Sequence, residues 1–157
     1  MTDAERRGYQ AAAHKDLMRY RDAMANIRHF KEGITIMEAR LDASAAAFDQ
    51  DKIIIQGGHG TMEDKLFKLI DLRLEYESRE YEAEWLCAEL EFKISHWLCG
   101  IEQRILRAYY IYLKPLNQIA NDESFSYSQI KRFKSSALEK YGAKLYEYKW
   151  LRKDEPE

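Results

Sequence analysis

The residues of this sequence best suited to chemistry are the basic side chains near its C-terminal end. Residues 126–153 contain eight basic residues and two acidic ones. The basic residues are Lys131, Arg132, Lys134, Lys140, Lys144, Lys149, Arg152 and Lys153. Clustered Lys and Arg side chains attract phosphate groups. Because residues 1–100 carry 19 acidic against 14 basic residues, the sequence predicts an acidic body with a polyanion-binding segment behind it.

The spacing within residues 126–141 predicts a single helix with two unlike faces, capped by Ser126. At about 100° per residue, one face collects apolar side chains, namely Ile130, Phe133, Ala137 and Tyr141. The opposite face and its flanks collect Tyr127, Ser128, Lys131, Arg132, Ser135 and Glu139. Such a helix can enter the major groove of double-stranded DNA, or it can simply present its polar face to water.

If the helix binds DNA, the expected contacts divide into two groups. Arg132, Ser128 and Tyr127 are placed to read base edges, and the lysines are placed to contact phosphates. The full set of predicted DNA-binding residues is Tyr127, Ser128, Lys131, Arg132, Lys134, Ser135 and Lys140.

Other residues that could do chemistry do not form a recognisable site. His96 and Cys99 have a metal-like spacing, but no second pair completes a tetrahedral site. The glutamates of residues 75–91 lack the Glu-x-x-His pairing of di-iron bundles. The glycine-rich residues 56–60 lack the Lys-Ser/Thr of a phosphate loop. We therefore expect no metal, no cofactor and no enzymatic activity.

The elements ahead of this segment are predicted to be two long helices. Heptad spacing of apolar residues runs through 11–48 and again through 62–97. These predict an antiparallel, coiled-coil-like helical hairpin over residues 11–98, with a loop at 49–60 and a flexible N-terminus at 1–10.

Shorter helices are predicted to follow the break at Gly100. They are expected over residues 101–113 and 115–121, before the helix that Ser126 begins. Gly142 is expected to end that helix as a C-cap. The predicted helix-turn-helix domain therefore covers residues 101–142, and 143–157 form a charged tail. With seven glycines and two prolines in 157 residues, the expected fold class is all-α.

The spacing of this C-terminal domain resembles the region-4 helix-turn-helix of sigma factors. The resemblance rests on Ile119-Ala120 followed by Ser126, and then on the apolar positions Ile130, Phe133 and Ala137. The family's usual Leu and Gly in the turn are replaced here by Glu123 and Ser124.

The chain as a whole, over roughly residues 17–142, is similar to phage regulators of the ArpU and RinA type and their uncharacterised relatives. That resemblance implies a sequence-specific transcriptional regulator of a phage or prophage. The hairpin is then expected to dimerise or to dock on RNA polymerase or another host protein. The resemblance to sigma region 4 implies DNA reading by Tyr127, Ser128, Lys131 and Arg132.

The alternative is a phage protein-interaction module, in which an acidic hairpin imitates nucleic acid and inhibits a host protein. For either function we expect a homodimer in the bacterial cytoplasm. The N-terminal residues lack the apolar stretch of a signal peptide, and no run approaches the roughly 20 apolar residues of a membrane span.

Overall fold

The computed structural model of the chain describes residues 1–50 and 62–153, with side chains for residues 1–43 and 62–149. Within those ranges the fold is all-α, as the sequence predicts, and no strand occurs. The helices are α1 (Asp3–Gln50), α2 (Met62–Trp97), α3 (Gly100–Leu106), α4 (Leu116–Glu123) and α5 (Tyr127–Lys153), and a π-helical turn (Arg107–Ile111) follows α3 directly.

Helix α1 begins eight residues earlier than the sequence analysis expected, so residues 3–10 are helical. A capping box explains this start. The backbone N–H of Thr2 donates to Oε2 of Glu5 at 2.7 Å, and the N–H of Glu5 donates to Oγ1 of Thr2 at 3.2 Å. These hydrogen bonds lower the pKa of Glu5. Ala13, one turn beyond the predicted flexible segment, is completely buried.

Helix α2 has the bounds expected from its heptads, from Met62 to Trp97. The predicted loop at 49–60 falls almost entirely outside the described residues, apart from Asp49 and Gln50, which are the last residues of α1.

The chain divides into two compact units, and the division differs from the boundary expected at Gly100. The first unit comprises residues 1–22 and 84–157, and the second comprises residues 23–83. The first unit therefore contains the beginning of α1 and the end of α2 as well as all of the shorter helices.

In the second unit, α1 and α2 contact each other in antiparallel directions. Arg79 lies over the ring of Phe30, with 5.6 Å from the guanidinium carbon to the ring centroid. Glu38, which follows Phe30 in α1, forms an ion pair at 2.6 Å with Arg73, which precedes Arg79 in α2. The two helices therefore run in opposite directions here. Among the described side chains of this unit, the buried apolar ones are Ile27, Leu69 and Ala83.

The first unit has a continuous apolar core to which four of the five helices contribute. Its fully buried side chains include Leu17, Leu90, Ile94, Leu106, Tyr110 and Tyr141. A small polar cluster adjoins this core. Oδ2 of Asp16 accepts hydrogen bonds from the hydroxyl of Tyr141 at 2.7 Å and from Nζ of Lys93 at 3.0 Å. Because these groups satisfy one another, burying them carries no unpaired charge.

Gly142 does not end α5, which continues as a helix to Lys153. The residue is glycine because of a neighbour rather than because of a turn. A Cβ at this position would lie 2.0 Å from the backbone oxygen of Tyr9. The first turns of α1 therefore run directly against the middle of α5, and residues 143–153 belong to that helix rather than to a separate tail.

The predicted helix over 101–113 is divided. After α3, the backbone widens into the π-helical turn, and Leu113 then adopts a left-handed conformation with φ of 57°. The N–H of Lys114 donates to the carbonyl of Ala108 at 3.0 Å and closes this turn. Pro115 precedes the first residue of α4, where its missing N–H has no helical partner to lose.

Candidate nucleic-acid interface

The turn between α4 and α5 is closed by backbone hydrogen bonds. The N–H of Phe125 donates to the carbonyl of Ala120 at 3.1 Å, and the N–H of Ser124 donates to that of Asn121 at 3.3 Å. Ser124 has φ of 57° and ψ of 37°. This is the left-handed end of a Schellman motif, a position that glycine usually occupies. The backbone hydrogen bonds thus fix the turn between α4 and α5 although Ser124, rather than glycine, occupies the left-handed position.

Ser126 begins α5 with a second capping box. Its hydroxyl oxygen accepts the backbone N–H of Gln129 at 3.2 Å, and Oε1 of Gln129 accepts the N–H of Ser126 at 3.0 Å. Together these bonds satisfy two donors that a helix start leaves unpaired, and they fix the direction in which α5 leaves the turn.

Beneath the turn, a small apolar cluster holds α4 and α5 against α3. Its buried members are Ile105, Ile119, Ala120 and Ile130. The ring of Phe133 packs at the edge of this cluster, 5.2 Å from the ring of Phe125 in a T-shaped arrangement. The face of α5 that the sequence assigned to the core is thus the face that packs.

Glu123, the last residue of α4, forms an ion pair with a residue of α3. Nε of Arg104 lies 3.1 Å and 3.2 Å from its two carboxylate oxygens. The ion pair connects the end of α4 to α3.

Six of the seven predicted DNA-binding residues are exposed, and five of these lie together in the first turns of α5. The five are Tyr127, Ser128, Lys131, Arg132 and Ser135. Nζ of Lys131 lies 5.2 Å from the ring centroid of Tyr127, so the aromatic ring and the cation occupy one patch at the N-terminal end of the helix. Nothing in the described part of the chain forms an ion pair with Lys131 or Arg132.

Lys134, by contrast, is directed into the protein. Its Nζ lies 3.9 Å from the ring centroid of Tyr109 and 5.5 Å from that of Tyr110. Burial lowers the pKa of Lys134, an effect that the neighbouring hydroxyl of Tyr109 opposes. The side chain is therefore engaged in a cation–π contact with the core of the first unit rather than standing on the exposed patch.

Lys140 also has a partner within the protein. Its Nζ donates to both carboxylate oxygens of the buried Glu102 at 2.9 Å, and this hydrogen bonding raises the pKa of Lys140. The hydroxyl of Ser136 donates to the same carboxylate at 2.7 Å. Lys140 thus neutralises the buried charge of Glu102, while its own side chain remains 58% exposed.

The N-terminal turns of α1 lie beside the patch, which the sequence analysis did not predict. Nε of Arg6 forms an ion pair with Glu139 at 3.2 Å, and the side-chain amide of Gln10 donates to the backbone oxygen of Ser135 at 3.4 Å. A shallow groove of about 430 Å³ separates the two helices. The capping sequence Thr2-x-x-Glu5 was the available signal that α1 begins early enough to reach this place.

His14 belongs to the same unit and contacts the core behind Lys134. Its Nδ1 lies 2.7 Å from the hydroxyl oxygen of Tyr110. Burial lowers the pKa of His14, and the positive charges of Lys134 and Arg21 lower it further. Burial raises the pKa of Tyr110, so the pair is neutral near pH 7.

Among the side chains described, those of residues 1–43 and 62–149, no three His, Cys, Asp or Glu come together to hold a metal ion. Nδ1 of His96 lies 2.8 Å from the carbonyl oxygen of Phe92, and Cys99 is exposed. None of the described helices is both long enough and apolar enough to cross a membrane.

The chain matches no family model, and neither the curated proteins nor the solved structures include a significant match to it. Inferences about function therefore rest on the geometry just described.

Proposed function

We propose that the protein is a sequence-specific DNA-binding transcriptional regulator and that α5 is its recognition helix. One observation carries the proposal: a rigidly capped helix buries one face and exposes an uninterrupted patch of polar and basic residues on the other. The patch is at the N-terminal end of the helix, which is the end that approaches base edges in helix-turn-helix proteins.

The residues of the patch have distinct roles in this proposal. The guanidinium of Arg132 donates two hydrogen bonds to the edge of a guanine, and Ser128 and Tyr127 contact neighbouring bases. Lys131 binds a phosphate and fixes the register of the helix on the duplex. Lys134 and Lys140 are not assigned DNA contacts in this proposal, because Lys134 lies over the ring of Tyr109 and Lys140 is hydrogen-bonded to Glu102.

We further propose that the two long helices form one antiparallel hairpin and that α3, α4 and α5 form a sigma region-4-like domain, as in phage regulators of the ArpU and RinA type. The closed turn at Ser124 and the Arg104–Glu123 ion pair support this, because they let an atypical turn sequence keep a typical turn geometry.

Selection of bound duplexes from a random pool, followed by fluorescence anisotropy over a range of salt concentrations, tests the proposal. We expect affinity for the selected site to fall steeply as salt rises, since each phosphate contact releases counterions. Arg132→Ala should weaken binding by roughly 1–3 kcal/mol and relax the preference for one base. Lys131→Ala should lower the slope of log affinity against log salt by about 1.

Lys149→Ala is the matched control, because it removes a charge from the exposed far end of the same helix and should change binding little. The absence of duplex binding by the wild-type protein at low salt would show that α5 is not a recognition helix. Equal losses in the Arg132 and Lys149 variants would show that binding is electrostatic without being specific.

A further inference from the structure

Helix α2 has two apolar faces in the second unit, and only one of them is covered by α1. At about 100° per residue the two faces point in opposite directions. The inner face comprises Leu69, Leu72, Tyr76 and Ala83, all buried or half-buried. The outer face comprises Phe67, Ile70, Leu74 and Tyr81, which are 57%, 43%, 59% and 62% exposed. We call these four residues the outer stripe.

The four residues of the outer stripe are aligned along one side of α2. Its four residues fall within about 60° of arc on the helix surface, and they extend along roughly 20 Å of the helix. Single exposed apolar residues are ordinary in soluble proteins, but an aligned row of four large ones marks a surface that another molecule covers.

The charges bordering the stripe are of one sign. Asp71 and Glu82 lie along one border and Glu77 along the other, and all three are exposed. None of them has an ion-pair partner within residues 1–43 and 62–149. The nearby arginines are engaged elsewhere, since Arg73 pairs with Glu38 and Arg79 with Glu75.

We propose that the outer stripe docks an amphipathic helix of another protein whose apolar residues are flanked by Lys and Arg. Apolar side chains of that helix pack on Phe67, Leu74 and their neighbours, and its basic flanks meet the acidic borders. Charge decides against a second copy of this chain as the occupant. Two identical stripes would bring like acidic borders together, which opposes association.

The probe for this proposal is a fluorescein-labelled synthetic helix of about 21 residues, with leucines at heptad a and d positions and lysines at the flanking positions. Its comparison peptide has the same leucines and glutamates in place of the lysines. Measured by anisotropy with the full-length protein, the lysine peptide should bind at least about tenfold more tightly than the glutamate peptide, and the difference should shrink as salt screens the charges.

Paired variants of the protein locate the site. Leu74→Gln should reduce lysine-peptide binding about tenfold, whereas Ile36→Gln, at an exposed isoleucine of α1 in the same unit, should leave it unchanged. The double variant Asp71→Asn, Glu82→Gln should reduce the ratio between the affinities for the lysine peptide and the glutamate peptide. Glu80→Gln, an exposed acid on another side of α2, should not. All of these are surface changes, and thermal unfolding verifies that each variant is folded.

Three results would overturn the proposal. The first is equal binding of both peptides. The second is a wild-type dimer in sedimentation velocity that Leu74→Gln dissociates, which would make a second copy the occupant. The third is a large gain in peptide binding when Ile53, Ile54 and Ile55 are replaced by serine, which would assign the stripe to that segment of the same chain.

The outcome is independent of DNA binding. Arg132→Ala should leave peptide binding unchanged because α5 takes no part in the stripe. Loss of peptide preference with intact DNA binding, or the converse, would therefore refute one proposal without affecting the other.

Discussion

Gly142→Ala offers a sharp test of the packing between α1 and α5, because two physical effects predict opposite outcomes. In the interior of an exposed helix, replacing Gly by Ala stabilises the protein by about 1 kcal/mol. At Gly142 the new methyl carbon would lie 2.0 Å from the backbone oxygen of Tyr9 and 2.5 Å from its carbonyl carbon. Since the obstacle is backbone, no change of side-chain rotamer can relieve the overlap, and α1 must move away by more than 1 Å.

That displacement weakens several contacts at once. The ring of Tyr9 packs against that of Tyr146 with 5.2 Å between their centroids, Arg6 pairs with Glu139, and Gln10 donates to Ser135. Overpacking costs about 1–3 kcal/mol, and an overlap with backbone atoms belongs in the upper half of that range, at about 2–3 kcal/mol, so the propensity gain of about 1 kcal/mol offsets only part of it. We therefore expect a net loss of about 1–2 kcal/mol, which corresponds to a fall in Tm of roughly 2–8 °C for a chain of this size.

Gly8→Ala is the matched control. It lies in the same turns of α1, and a Cβ there meets nothing within 4 Å, so the substitution should raise Tm. Urea unfolding followed by circular dichroism measures both variants. If Gly142→Ala were as stabilising as Gly8→Ala, the close approach of α1 to α5 would be refuted.

Two further predictions concern the turn and the pH dependence of stability. Ser124→Gly should stabilise the protein by about 1 kcal/mol because it relieves the cost of a left-handed conformation. The control Ser135→Gly, within the helix, should instead destabilise the protein by about 0.5 kcal/mol. Chemical unfolding that gave both free-energy changes the same sign would contradict this prediction. The folded protein lowers the pKa of His14 below 6.5, so the unfolded chain takes up a proton first as pH falls, and stability should decline from about pH 6.5 down to the lowered value. His14→Gln should remove that part of the pH dependence, and an unchanged difference in Tm between pH 7 and pH 5 would refute the assignment.

The parts of the fold that the sequence predicted well are those governed by local signals. The heptads that end at Trp97 predicted both bounds of α2, and Ser126 was predicted as the cap of α5, where its side chain accepts the N–H of Gln129. Burial on α5 also followed the period of the helix, so Ile130 and Tyr141 were assigned to the correct face. These features depend only on residues a few positions apart.

The errors arose where the deciding partner is distant in the sequence. Gly142 resembles the glycine of a helix end, but the neighbouring backbone of Tyr9 is the reason that a glycine stands there, inside a helix that continues. Lys134 and Lys140 fall on the flank of the predicted DNA-facing surface, but residues of the preceding helical segments, Tyr109 and Glu102, determine where they point. No periodicity within α5 contains that information.

The first unit is assembled from two stretches of chain that are separated by residues 23–83. During synthesis, the N-terminal stretch can contact the end of α2 only after residues 23–83 have been made, and its contacts with α5 form later still. The entropic cost of bringing together the two ends of an intervening segment rises only slowly with the length of that segment. Residues 23–83 thus behave topologically as an insertion, and removing equal numbers of whole heptads from α1 and α2 should cost the first unit little stability while altering what the second unit can bind.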